Sequence, residues 1–326
     1  MISAAGRTAA LLLLALIAAL PAAAQDSSYP RRAIHLVVPY TAGGATDVLA
    51  RIVAESLSSR LGQPMIVENK PGAGAVLATG QVAKAAPDGY TLLFGTLAHS
   101  INASLNKSLP YDPVNDFEFV GKIGQLSFAV VVNPELGVTD LGSLVGLMRT
   151  SPGKYQFASA GVGTPMHLGA ELLKHLTKTD AVHVPYRGES AALTDLLGGR
   201  LAFMLCSIPT CASRIQDGSI KAVAVTSANR VSQTPMVPTG CEAGVPGFET
   251  YSWFFIAAPK GTSRAIVGRL SGALNDVLQD GPFRNRVAAM GTETDPRSTP
   301  EATKAYVQSE IDKWRPIVRA TGASAE

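Results

Sequence analysis

The sequence predicts an α/β protein built as two lobes, and three observations carry that expectation. Short apolar runs alternate with stretches of helical periodicity, first over residues 34–94 and again over 141–226. Several of those runs end in loops of Gly, Ser and Thr that lead into a helix. Apolar strands near residues 128 and 252 stand where the chain would pass from one α/β stretch to the other and back. The length, 326 residues, allows two sizeable cores. Aromatics are only 6% of the chain, so Ala and Gly must carry much of the packing, as they do between helix and sheet layers.

Residues 1–24 read as a secretory signal. Arg7 gives a thin basic region, 9–20 a short apolar region, and Ala22, Ala23 and Ala24 a small-residue cleavage pattern before Gln25. The apolar run is shorter than the roughly 20 residues of a membrane span. No Cys follows it to take a lipid. A soluble exported chain starting near Gln25 is expected.

Residues 34–38 form a strand pattern that Pro39, Gly43 and Gly44 break. Thr46 and Asp47 are N-cap residue types, and Val48, Leu49, Ile52, Val53 and Leu57 then repeat at helical spacing. A strand, a glycine turn and a helix start aim free backbone N–H groups and the positive end of a helix dipole at whatever lies above. An anion fits there without a dedicated arginine, although any strand–helix unit needs a small-residue turn.

A strand at 65–68, a glycine-rich turn at 69–75, a helix at 76–85 and a strand at 90–94 complete a β-α-β-α-β order. That order predicts a parallel sheet with right-handed crossovers. Its loop at 95–100 falls on the same carboxyl edge as the first turn, the edge where open α/β sheets collect ligands. Residues 109–117 are rich in turn formers, and two short strands are expected at 119–123 and 128–132. A second alternation follows, with helices at 141–149, from Met166, and at 191–197, and strands at 155–158, 182–184, 201–205 and 222–226. An aromatic strand at 251–258 precedes helices at 263–278, 282–290 and 300–320, which are expected to pack back on the first lobe. The first lobe would then hold 25–127 and 252–326, the second 128–251, with two crossing strands as a hinge.

A formal charge of +3 without a basic block argues against nucleic acid. Cys206, Cys211 and Cys241 show neither CxxC nor zinc spacing, and no metal or other cofactor is expected. An odd count leaves at least one thiol free unless it pairs between chains. The loop 161–163 is a lone GxG, too little for a dinucleotide fingerprint. His99 and His167 read as packing or hydrogen-bonding residues. Arg187 suits a ligand carboxylate or a surface acid equally. Cys206 and Ser207 end a strand aimed at the cleft, but nothing places a general base beside the thiol. Trp253 suits either the cleft wall or the core.

Seven segments in order resemble one family: YPRRAIHLVVPYTAGGATDVLAR, GQPMIVENKPGAGA, AAPDGYTLLFG, LPYDPVNDF, PGKYQFASAGVGTPMHLGAELL, HVPYRGESAALTDLLGGRLAFM and EAGVPGFETYSWFFIAAP. The chain is similar to the Bug family, the TctC-like solute receptors of tripartite tricarboxylate transporters, over nearly all of the mature chain. The resemblance implies a periplasmic Venus-flytrap, type II-like fold. It implies a monomeric binding protein, not an enzyme, that captures a small organic acid and delivers it to a membrane permease. Carried over residue by residue, one side of the site would be Tyr40, Ala42, Gly43, Gly44, Thr46 and Asp47, and the other Ser159, Ala160, Gly161, Thr164 and His167. The distal end of the ligand would meet Thr96, His99, Arg187, Cys206, Ser207 and Trp253. Thr41 stands where Ala or Pro is common, Ala75 where a Gly is usual, and Cys206 and Cys211 are unexpected. Two other readings stay open: a ligand sensor contacting a membrane sensor kinase, and an exported enzyme using Cys206 or His167.

Overall fold

The structure, a computed structural model, describes residues 29–106, 108–186, 188–295 and 298–321. The export-signal segment and Arg187 lie outside the described residues. Ten strands form one continuous system: β1 (Ile34–Val38), β2 (Met65–Asn69), β3 (Thr91–Thr96), β4 (Phe117–Val132), β5 (Gln156–Ser159), β6 (Val182–Pro185), β7 (Phe203–Ser207), β8 (Lys221–Val225), β9 (Tyr251–Pro259) and β10 (Thr292–Thr294). The order is β2-β1-β3-β9-β4-β7-β5-β6, with β8 and β10 paired to β4.

β4 is the organising element, and it corrects the expectation of two short strands. Gly121, Lys122, Gly124 and Gln125 interrupt the apolar pattern, yet the strand runs unbroken for 16 residues. Its ladder with β9 shifts register between Phe119 and Gly121 and between Lys122 and Gly124, so bulges absorb the irregular residues. Glycine is required at 124, because a Cβ there would stand 2.2 Å from the Glu293 carbonyl oxygen. The first half of β4 pairs with β9 and β10, and the second half with β7 and β8.

This sharing fixes the directions of all the other strands. β1, β2 and β3 are parallel, β9 opposes β3, and β4 opposes β9, so β4 runs in the sense of β3. β7 opposes β4, and β5 and β6 follow β7. The parallel strands of one lobe therefore run toward the other lobe, and those of the other lobe run back. Their carboxyl ends meet across a cleft.

Helices follow those ends. α1 (Ala45–Leu61), α2 (Val76–Ala83) and α3 (Leu97–Leu105) flank the first lobe, and α4 (Leu141–Thr150), α5 (Pro165–Thr177), α6 (Glu189–Leu197) and α7 (Ile208–Gln216) the second. After β9, α8 (Arg264–Gln279) and α9 (Gly281–Ala288) return to α1 through Arg60–Asp280 and Arg286–Glu55 ion pairs. α10 (Pro300–Thr321) packs on α3 and also on α5. None of the described helices is long and apolar enough to cross a membrane.

At the crossing, Thr226 clamps the two passes together. Its N–H donates to the Phe128 carbonyl (2.9 Å) and its hydroxyl donates to the Thr250 carbonyl (2.6 Å). The same oxygen accepts from the Phe128 N–H at 3.0 Å, in fully buried surroundings. Thr226→Val keeps the shape but leaves two buried backbone groups unpaired, a cost of about 1–3 kcal/mol each way. Thermal unfolding is expected to show a clearly lowered Tm; an unchanged Tm would mean that the clamp contributes nothing to the junction.

Candidate functional site

Three loop–helix junctions converge on the cleft: β1 to α1, β3 to α3, and β5 to α5. The sequence placed the α1 cap at Thr46 or Asp47, but the cap is Gly44, which has no side chain to offer the helix. The first-turn N–H groups therefore keep no intrahelical partner, and Ala42, Gly43, Gly44 and Ala45 are exposed.

Asp47 is not free to meet a ligand. It is 2% exposed and accepts from the Gly43 N–H (2.9 Å), Arg51 Nε (3.0 Å) and Asn69 Nδ2 (2.9 Å). Burial alone would raise its pKa, but the bonds from Arg51, Gly43 and Asn69 outweigh it and hold the carboxyl below the usual range. Asn69 also donates to the Tyr40 carbonyl at 3.0 Å. Asp47, Arg51 and Asn69 thus lock the turn, whose residues 42–45 are exposed. Thr46 is half-buried in the first turn. Tyr40 shares a 3.0 Å hydrogen bond with Thr96, bridging the ends of β1 and β3.

The α5 junction is built differently. Thr164 caps the helix by accepting from the His167 N–H, and its hydroxyl donates to the Gly161 carbonyl at 2.7 Å. Ser159 Oγ accepts from the Gly161 N–H and sits 2.7 Å from His183 Nε2. The Gly163 N–H donates to His167 Nδ1 at 3.2 Å. Ser159, Thr164 and His167 are therefore occupied in holding the loop. Gly161, at φ +132°, adopts backbone that side-chain-bearing residues rarely reach, and a Cβ there would lie 3.6 Å from the Tyr186 carbonyl.

His167 and His183 stack with ring centroids 3.9 Å apart, against Phe157. Burial, then the positive charge that the neighbouring His183 would carry and Lys174, hold the His167 pKa at about 3. Burial and Lys174 hold His183 at about 4. Lys174 is itself paired with Glu171 at 2.9 Å. Both rings are neutral at ordinary pH, as His167 must be to accept from Gly163.

Four distal expectations change. The 97–100 stretch is helix α3 rather than loop, and His99 is 2% exposed, packed among Tyr111, Phe117 and Phe255 with Nε2 at 2.7 Å from the Pro113 carbonyl. Trp253 is fully buried and donates to Glu310 at 3.0 Å. Cys206 is fully buried as a small apolar filler, and its bonding with Cys211, burial and the nearby Glu189 carboxylate push its thiol pKa up. A thiol so placed is no nucleophile. Ser207 donates its hydroxyl to Glu189 at 2.8 Å. These four side chains belong to the scaffold.

Asn69, Arg51, His183 and Glu189 were missed. Only Gly188 ahead of a helical run signalled the α6 start, which has no side-chain cap. Away from the cleft, at the remote end of β4, lies a cavity of about 510 Å³ lined by Phe119, Arg264, Lys304 and neighbours.

Comparison with known proteins places this geometry. The profile of the "Tripartite tricarboxylate transporter family receptor" matches residues 49–323. BugT of Bordetella pertussis is 37% identical over 308 residues, covering 94% of each chain. The solved periplasmic binding protein BugD is 34% identical with a TM-score of 0.78, over 91% of this chain and 99% of BugD. Rpa4515 of R. palustris, solved with adipate, is 34% identical with a TM-score of 0.81, over 91% of this chain and 99% of that one.

The neutral histidines make stability depend on pH. Each titrates at about 6.5 when unfolded, whereas burial above all depresses the folded values, to about 4 for His99 and His183 and about 3 for His167. Between these limits the unfolded chain binds more protons, so stability is full above pH 6.5 and falls as the pH drops. His99 alone should lose about 1 kcal/mol between pH 7 and 5.5. A Tm that falls over that range, with a shallower fall in His99→Phe, is expected; a flat profile in the wild type would sink the neutral-histidine reading.

Proposed function

Because the chain belongs to the family of tripartite tricarboxylate transporter receptors, we propose that it captures a small organic acid in the periplasm and delivers it to a membrane permease. It is a solute-binding protein and not an enzyme. On this reading residues 1–24 direct export and are removed, and the ligand sits between the lobes. The observation that carries the proposal is the uncapped start of α1, exposed and braced by Asp47, Arg51 and Asn69, facing a second sheet edge across the cleft. Rpa4515, a close structural relative, holds adipate, which favours a carboxylate here.

The carboxylate is assigned to the amides over residues 44–46, with the Tyr40–Thr96 pair beside it and the backbone of Ala160 to Val162 closing from the other lobe. Asp47, Ser159, Thr164 and His167 act through the loops that they hold. Closure removes water, so backbone donors count for more than in the open cleft. The closed form gains population only when a ligand spans both lobes, and a permease can read that difference.

A thermal-shift screen of the mature chain against small organic acids tests this directly, because a ligand that binds only the folded state raises Tm by mass action. One class of carboxylate is expected to raise Tm without being consumed, as judged by mass spectrometry. Turnover of the ligand, or shifts only with non-acids, would contradict the proposal. Gly161→Val, which puts bulk on the closing loop, should lose the shift while still unfolding cooperatively. A full shift in that variant places the ligand elsewhere.

A further inference from the structure

Six helices follow the carboxyl ends of the parallel strands of the two lobes, and a carboxylate from one of them closes the start of another. Glu189, first residue of α6, reaches across the end of the second sheet to the start of α7. Its carboxylate accepts from the Ser207 N–H, from the Ser207 hydroxyl at 2.8 Å and from the Thr210 hydroxyl at 3.1 Å. Ser207 is the N-cap of α7, and Pro209 in its first turn has no N–H to give. The same carboxylate belongs to the first turn of α6, where it also offsets that helix's dipole.

Glu189 opens the helix that follows β6, at the carboxyl edge of the second sheet. Its loop follows β6, whose end pairs with Ser159 at the edge of the anion loop, and the Tyr186 carbonyl lies against Gly161. Pro209 and Leu126 both lie against Gly291 of the first lobe. The half-buried carboxylate thus stands between the carboxylate-binding loops and the junction of the lobes.

We propose that Glu189 sets the class of solute: the cleft takes a monocarboxylate whose other end is a neutral or cationic hydrogen-bond donor, and it discriminates against dicarboxylates. The inference rests on the carboxylate-receptor reading above. A second ligand carboxylate arriving over the second lobe would find the Ser207 and Thr210 donors spent and a resident carboxylate beside it. An amide or ammonium group finds an acceptor instead. Burial pushes the Glu189 pKa up, and the hydrogen bonds from Ser207, Cys206 and Thr210 offset this only in part; as placed, its oxygens occupy the Ser207 and Thr210 donors. Loss of hydrogen bonds to a charged group is worth about tenfold or more in affinity.

Calorimetric titration of the mature chain with matched pairs of equal length, glutarate with glutaramate and adipate with adipamate, tests it. The monoamide is expected to bind at least tenfold tighter than its diacid. Glu189→Ala, which releases the α7 donors, and Glu189→Gln, which keeps the shape without the charge, should each shrink that ratio at least tenfold by improving the diacid. If Glu189→Ala does not fold, Glu189→Gln carries the test. A wild type that binds the diacid as well as the monoamide, or a ratio unchanged in folded variants, overturns the role of Glu189 and leaves the receptor reading standing. If no acid of any length binds wild type or variant, the carboxylate reading falls, and this inference with it.

Discussion

One strand belongs to both sheets, and the site depends on it. β4 pairs with β9 in its first half and with β7 and β8 in its second. Strand polarity then leaves no choice: the parallel strands of each lobe end facing the other lobe. Six helix starts, with their partial positive charge, are gathered at the facing sheet edges by strand polarity alone. Thr226 holds the two passes of the chain together where the lobes part, and α10 spans the outside by packing on α3 and α5.

Given that gathering, the side chains in the loops divide the labour. Asp47, Asn69 and Arg51 on one side, and Ser159, Thr164, His167 and His183 on the other, spend their polar atoms on the loops themselves. On the proposed reading, what is left to meet the ligand is chiefly backbone. Such donors are fixed in place before a ligand arrives, so ordering them costs little at the moment of binding. The neutral histidine stack is the price of that rigidity, because it ties the second lobe to a pH above the range where imidazoles charge. Glu189 belongs to the same logic with opposite sign, closing one helix start rather than leaving it open.

The alternation of strands and helices and the small-residue loops were legible in the sequence, because period and loop composition are local properties. The continuity of β4 was not. Glycine at 124 reads as a break, and its reason is the close approach of the Glu293 carbonyl, about 170 residues further on. Thr46 and Asp47 are good capping types, but the helix starts one residue before Thr46, and Asp47 reaches back to the Gly43 N–H from inside the first turn. His99, Trp253 and Cys206 sit at or beside helix and strand ends that face the cleft, yet their side chains turn to the core; sequence gives the edge and not the rotamer. Glu189 escaped because its partners, Ser207 and Thr210, lie on a different strand–helix junction. The seven family-like segments carried the functional reading further than any single residue could.

The most direct measurement is a crystal structure of the mature chain grown with whichever acid it binds most tightly. The ligand carboxylate is expected between the lobes, with its oxygens in hydrogen-bond range of the backbone N–H groups of residues 44–46 and of the loop around Gly161. A carboxylate held instead by Arg264 and Lys304 in the cavity at the remote end of β4 would show that the opposed sheet edges do not make the site.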